Sequence, residues 1–264
     1  VTSIPVSDLL GFRDGTMSVH TSRTMMLHEM ELILKRVALD APVSSYVEAI
    51  IEENVLGKPT RSTRQRTAKR LRELYALDPR CTLFRLLRYF WSSDPGNHPM
   101  LAFLMAYARD PLLREATPFV LAIPVGQIVS PGDIVTYLNA QYPSRFCPTT
   151  VLSTAQNLAS SWTQAGYLRG KKRKRRCRPH LTPVVSAFAL LLGYLCGLRG
   201  ALLLDSLWTQ ALECSIAERT GLAEEASRQG WLRYKATGAV VDITFPGLLT
   251  SAEEQAVYEQ DRPA

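Results

Sequence analysis

The sequence predicts a mainly α protein: a helical bundle that carries a helix-turn-helix unit and a winged-helix-like unit, with small β-hairpins as wings. Three observations predict it. From Ser22 onward, apolar residues recur at spacings of three and four, the period of an amphipathic helix. Glycine and proline break these runs at Gly57, Pro59 and Pro79. Twice, at Ala165-Gly166-Tyr167-Leu168 and at Gly230-Trp231-Leu232, a helical run closes on glycine, an aromatic residue and leucine and passes into a hairpin.

The elements follow in order. Residues 1–20 read as an extended lead-in. Met26, Met30, Ile33, Leu34 and Val37 mark the apolar face of a first helix, with Thr21 or Ser22 as its cap and the methionines as core filler. Pro42 opens a second helix through Val43, Val47, Ile50 and Ile51. Thr60 or Ser62 caps a third, with Ala68, Leu71, Leu74 and Tyr75 inside and cations on its other faces; two helices about a glycine-containing turn, the second cationic, form a helix-turn-helix pattern. Apolar helices follow at 81–91 and 99–109, and a proline-bounded stretch, 111–124, leads on.

Ser130-Pro131-Gly132-Asp133 starts a short helix with Ile134, Leu138 and Tyr142 on one side. After a turn, Thr149 or Thr150 caps a helix whose Leu152, Ala155, Leu158, Ala159 and Trp162 form a buried stripe. Thr149, Ser153, Thr154, Gln156, Asn157, Ser160 and Ser161 are its candidates for base or phosphate contact, short and polar enough not to demand one sequence. Residues 183–198 are almost continuously apolar, but sixteen residues fall short of the ~20 that cross hydrocarbon, so a buried core helix is expected and no integral membrane span. A helix over 216–230 and strands around Thr237-Gly238 repeat the winged order with only Arg233 and Lys235 as cations, a structural or protein-facing echo. The acidic tail, 252–264, is expected to be disordered. The boundaries are 1–124 for a helical domain with the helix-turn-helix, 125–181 for the winged unit, and 182–264 for the C-terminal helices, hairpin and tail.

Charge placement is the most informative feature. The chain of 264 residues has 31 basic and 24 acidic residues. Seven cations lie within 58–72 (Lys58, Arg61, Arg64, Arg66, Lys69, Arg70, Arg72) and eight within 169–178 (Arg169, Lys171, Lys172, Arg173, Lys174, Arg175, Arg176, Arg178), with no acid in either segment. Outside them acids outnumber bases, 24 to 16. Cations gathered in this way gain free energy by neutralising phosphates and releasing their counterions. Lys58, Arg61, Arg64, Arg66, Lys69 and Arg70 are therefore candidate phosphate contacts on the first unit, and Lys171 to Arg176 on the wing.

At 46% hydrophobic and 21% charged residues, the composition excludes wholesale disorder, a collagen-like fibre and a polytopic membrane protein. Five cysteines without a CxxC spacing read as reduced thiols of a cytoplasmic protein, and Val1 to Gly15 lacks the apolar block of a secretory signal. No Walker loop, GxGxxG, nucleophile elbow or HExxH occurs, so no enzyme, cofactor or metal is expected. The vicinal pair Glu52-Glu53 points to different helix faces, and Asp133 lacks a Glu-x-Lys partner. Among four scattered histidines, His28 is expected to pack on the first helix and His180 to add charge beside the wing below pH 7.

Ser22-Arg23, the stretch Glu48-Ala49-Ile50-Ile51-Glu52-Glu53-Asn54-Val55-Leu56, Ser62-Thr63-Arg64 and Thr67-Ala68-Lys69-Arg70-Leu71 resemble the BrxA family of bacterial BREX phage-defence systems, as do Ser130 to Leu138 and Thr149 to Leu168. The resemblance spans about residues 20–200 and carries no catalytic signature. It implies a non-enzymatic, double-stranded DNA-binding component of a multi-gene cassette that restricts phage while host DNA is methylated, with other BREX proteins as partners. The contacts would be largely sequence-independent. The alternatives are an adaptor that docks its helices on larger defence enzymes, and an RNA-binding helical protein.

Overall fold

The computed structural model describes residues 9–238 and 240–260. It is mainly α with two small antiparallel sheets. The centre is a helix that the sequence makes apolar all round, α5, and such a helix must be enclosed. The helices before it are α1 (Leu27–Arg36), α2 (Val43–Ile51), α3 (Arg61–Tyr75) and α4 (Thr82–Trp91). In α5 itself (His98–Arg109), every residue from Met100 to Ala108 is buried, against α1, α3, α4 and later helices. Each large aliphatic or aromatic side chain enclosed here contributes about 1.5–3 kcal/mol.

A winged-helix arrangement follows. It runs α6 (Pro111–Ala122), β1 (Ile128–Val129), α7 (Pro131–Gln141), α8 (Pro148–Ala165), β2 (Leu168–Arg169) and β3 (Lys174–Arg176). The three strands form one antiparallel sheet in the order β1-β3-β2. Ser130 and Asp133 close a capping box on α7, and Gly166 ends α8 in the left-handed region.

The same order recurs in α9 (Pro183–Leu195), a 3-10 segment at Gly200–Asp205, α10 (Leu207–Gln210), α11 (Ile216–Arg228), β4 (Arg233–Thr237) and β5 (Val240–Thr244). The Gly200–Asp205 segment packs on β5 much as β1 lies beside β3. The N–H of Trp231 donates to the Ala226 carbonyl (2.9 Å), as that of Tyr167 does to Trp162 (2.8 Å), each just after a glycine of positive φ. A single apolar core joins all these elements. The 183–198 run is the buried helix expected, and among the described residues no helix is long and apolar enough to cross a membrane.

Several expectations are corrected. The first helix begins at Leu27, after Met26 in a left-handed conformation, and neither Thr21 nor Ser22 caps it. Residues 18–26 instead form a strap that includes a 3-10 turn at Val19–Thr21. The 111–124 stretch is mostly α6: Pro111 sits at the first turn, where its missing N–H costs nothing, behind the cap Asp110. Cys147 with Pro148, not Thr149 or Thr150, starts α8. The tail is not disordered over residues 251–260, which form α12 (Ser251–Gln260); Glu253 caps its start and pairs with Arg85 at 2.6 Å, and Val257 is buried. Residues 261–264 of that tail and 1–8 of the lead-in lie outside the described residues. His28 is exposed, whereas His20 is fully buried.

Asp110 fastens the strap. Its carboxylate accepts from the Ser18 hydroxyl (2.7 Å), Val19 N–H (2.7 Å) and Leu113 N–H (3.0 Å), and lies 3.0 Å from His20 Nδ1. Burial pushes the Asp110 pKa up, but the charge on His20 and these donors outweigh it and hold the group at about 2. A carboxylate held below its unfolded value stabilises the fold above that value and loses the contribution as pH falls through the folded one. Thermal melts should therefore lose roughly 2 kcal/mol between about pH 4 and pH 2. Asp110→Asn should be less stable at pH 7 and show a shallower loss in that window.

Candidate nucleic-acid interface

Two faces of α8 have different fates. Ser153, Asn157, Ser161 and Gln164 recur at helical spacing and face the strap and the start of α1. Asn157 Nδ2 donates to the His20 carbonyl (2.9 Å), Ser161 Oγ accepts from Met25 N–H (2.8 Å), Gln164 Oε1 accepts from Leu27 N–H (3.0 Å), and Ser153 Oγ lies 3.5 Å from the Thr21 carbonyl. Ser153 and Asn157 are thus half-buried and Thr154 and Ser161 fully buried, so this part of the expected reading face is covered.

The Ser161 hydroxyl proton goes to the Asn157 carbonyl (2.9 Å), so His20 Nε2, 3.0 Å away, donates to Ser161. Asp110, His20 and Ser161 share the connectivity of a nucleophilic triad. None is more than 1% exposed, however, and the serine proton is already engaged; the set is a clamp between strap, α6 and α8.

The free face of α8 carries Thr149, Leu152, Gln156, Ser160 and Thr163. Leu152, expected inside, is 46% exposed on it. Thr149 Oγ1 lies 3.3 Å from Cys147 Sγ, and the Thr149 and Thr150 hydroxyls lower that exposed thiol to about 7. The stripe runs into the wing, where Lys174 Nζ donates to Thr163 Oγ1 at 2.7 Å. Gln156→Ala should leave stability unchanged within about 0.5 kcal/mol and weaken DNA binding modestly. Asn157→Ala should cost about 1–2 kcal/mol, for the strap carbonyl it leaves unpaired, without altering DNA affinity of the folded protein. Denaturant titration with anisotropy on both variants checks this.

The wing has an inner and an outer side because strand side chains alternate. Leu168 pairs with Arg176 and both point inward. Arg176 is a correction: expected on the phosphate-facing set, it is fully buried. Its Nε donates to the Val120 carbonyl (2.7 Å), Nη1 to the Tyr167 (3.3 Å) and Cys177 carbonyls, and Nη2 pairs with Glu213.

Arg169 and Arg175 stand directly opposite each other on the outer side, both exposed. Arg175 donates to the Gly126 carbonyl (2.5 Å). The tip, Lys171, Lys172 and Arg173, is exposed and makes no hydrogen bond or ion pair among the described residues. Gly170 shapes it: at φ +114 any Cβ would lie 2.3 Å from the Arg173 carbonyl oxygen.

The first cationic cluster is compensated from within. Arg61 forms a two-pronged pair with Glu52 (2.8 and 2.6 Å), Lys58 pairs with Glu29 (2.9 Å), and Arg70 with Glu73 (2.8 Å). Arg64 donates to the Ile51 carbonyl (2.6 Å), which ties α3 to the end of α2, and Arg66 to Ser62 Oγ (2.9 Å). Among the described residues, Lys69 and Arg72 are the two of the cluster without a side-chain hydrogen bond or ion pair, and both line a cleft. Sequence reading missed this balance because Glu29 and Glu52 sit on other elements and Glu73 lies just past the acid-free segment, although Glu52-Glu53 shortly before the cluster and Glu73 immediately after it were visible signs.

The fold and this surface define a mainly α protein with a winged-helix-like unit whose wing is cationic. No protein-family model matches the chain, and no curated protein is similar to it in sequence.

Proposed function

We propose that the chain is a cytoplasmic, non-enzymatic protein that binds double-stranded DNA through its wing and the free face of α8, largely independent of sequence. The observation that carries this reading is the outer side of the wing. Like charges directly across a strand pair destabilise it. Arg169 faces Arg175, beside Lys171, Lys172 and Arg173, and none of the five has an ion pair among the described residues; a polyanion would relieve that repulsion. The free stripe of α8 ends beside the wing, so that a helix entering the major groove and a wing lying along the backbone could engage one duplex. The first cluster, half neutralised, adds to the long-range field more than to contacts. The resemblance to the BrxA family supports a place for this DNA binding in a BREX-type defence assembly with other proteins of the cassette.

The test is an anisotropy titration with unrelated duplexes across a salt series. About five wing cations without carboxylate partners give an expected log–log slope of about −4 to −5. A slope near zero, or structured RNA displacing duplex at equal concentration, would overturn the reading.

A further inference from the structure

The two cations of α3 without a side-chain partner among the described residues, Lys69 and Arg72, are exposed. They line a cleft of about 710 Å³ bounded by residues 11–13, α2, α3 and the turn after it. Arg13 and Arg109 enter the same cleft from two other parts of the chain. Its acids are Glu73 and Asp78, and each is taken. Glu73 is bound by Arg70 (2.8 Å), and Asp78, which Arg72 also approaches, by Arg80 (2.8 and 3.1 Å). Four cations therefore line one cleft in which, among the described residues, both acids are already held by other arginines.

Two of the four are fixed in place by backbone oxygens. Arg13 Nη1 and Arg109 Nε both donate to the Glu73 carbonyl, at 3.1 and 3.2 Å, and Arg109 Nη1 to that of Gly11. Carbonyls orient a guanidinium without cancelling its charge. Fixed cations in a partly desolvated recess are costly unless an anion joins them, and they are already arranged to receive one. Burial lowers the Arg109 pKa to about 10; the neighbouring Cys81 opposes this and the Arg13 charge adds to it. The remaining lining is apolar, chiefly Phe12, Val47, Ile51 and Ala68, with Gln65 as a neutral polar group.

We propose that this cleft is a second anion site, separate from the wing, which takes a small phosphorylated molecule of nucleotide size: phosphates against Arg13, Lys69, Arg72 and Arg109, and a flat apolar moiety on the floor. The volume lies within the range of small-molecule sites, about 300–1,000 Å³. A small anion suits the cleft better than a duplex, because two of its four cations, Arg13 and Arg109, are partly buried and held by backbone carbonyls.

The experiment is calorimetric titration of the full chain with ATP, tripolyphosphate and adenosine at constant ionic strength. ATP should bind one to one, and tripolyphosphate at least tenfold more weakly for want of a group on the floor. The double variant Lys69→Glu with Arg72→Glu breaks no internal bond, so it should melt like the parent and bind ATP at least tenfold more weakly. The wing variant Lys171→Glu, Lys172→Glu, Arg173→Glu should keep ATP affinity within twofold while losing DNA. Four results would overturn the proposal: no ATP heat at millimolar concentration, equal affinity in the Lys69/Arg72 variant, loss of ATP binding in the wing variant, or competition by duplex DNA. Tripolyphosphate equal to ATP would overturn the role of the floor.

Discussion

Reversing Lys171, Lys172 and Arg173 together to glutamate is expected to weaken binding to every duplex by about two to three orders of magnitude near 0.1 M salt. Each phosphate contact contributes about 0.9 to the log–log slope, so losing three flattens it by about 2.7 and removes roughly that many decades of affinity at 0.1 M. The fold should be indifferent: none of the three side chains makes a bond to the described residues, and the turn depends on Gly170 rather than on them. The thermal midpoint should move by no more than about 0.5 kcal/mol implies. Arg61→Glu is the contrasting case. It sets two carboxylates face to face where Arg61 now holds Glu52, and should change DNA affinity less than about threefold, since that pair is exposed and compensated. Anisotropy across a salt series measures both; a folded triple variant with the parental slope would remove the wing from the interface.

How much of this was legible depends on whether a signal is local. The order helix, turn, helix, Gly-aromatic-Leu, hairpin could be read because a glycine of positive φ, a helix stop and an apolar pair lie within a few residues. The inward apolar face of α8 was legible at Ala155, Leu158, Ala159 and Trp162 for the same reason. Its second covered face was not. Ser153, Asn157 and Ser161 look solvent-facing until a strap more than a hundred residues earlier in sequence supplies the backbone groups they bind. His20 was invisible likewise, since its partners Asp110 and Ser161 come from α6 and α8. In the wing the period itself is hidden: six consecutive cations and no apolar residue give no alternation, although the pairing of Leu168 with Arg176 settles which one turns inward. The tail misled by composition. Its acids masked the spacing of four that places Glu253 and Val257 on one buried face.

Arg176 converts the wing from a charged loop into a fixed arm, and its loss should be the largest stability change of any single substitution considered. The guanidinium joins four places: the end of α6 through Val120, the end of α8 through Tyr167, the strand's own exit at Cys177, and Glu213 before α11. Its ring neighbour Tyr167, 5.7 Å away, is fully buried and donates its hydroxyl to the Ala211 carbonyl, so the two winged units meet at this point. Arg176→Met would leave three carbonyls and one mostly enclosed carboxylate without their donor, at an expected cost of about 3–5 kcal/mol. For a chain of this size that corresponds to a midpoint lower by roughly 10 °C. Glu213→Gln should cost less, about 1–2 kcal/mol, because the amide oxygen still accepts and the side chain keeps some access to water. The sharper expectation lies in the binding data. Well below its lowered midpoint, Arg176→Met should retain the parental salt slope, since the residue touches no phosphate, whereas the tip variant loses slope without losing stability. A salt slope reduced by about one in folded Arg176→Met would mean that this guanidinium turns outward onto DNA, and the buried arrangement would not be the binding-competent one.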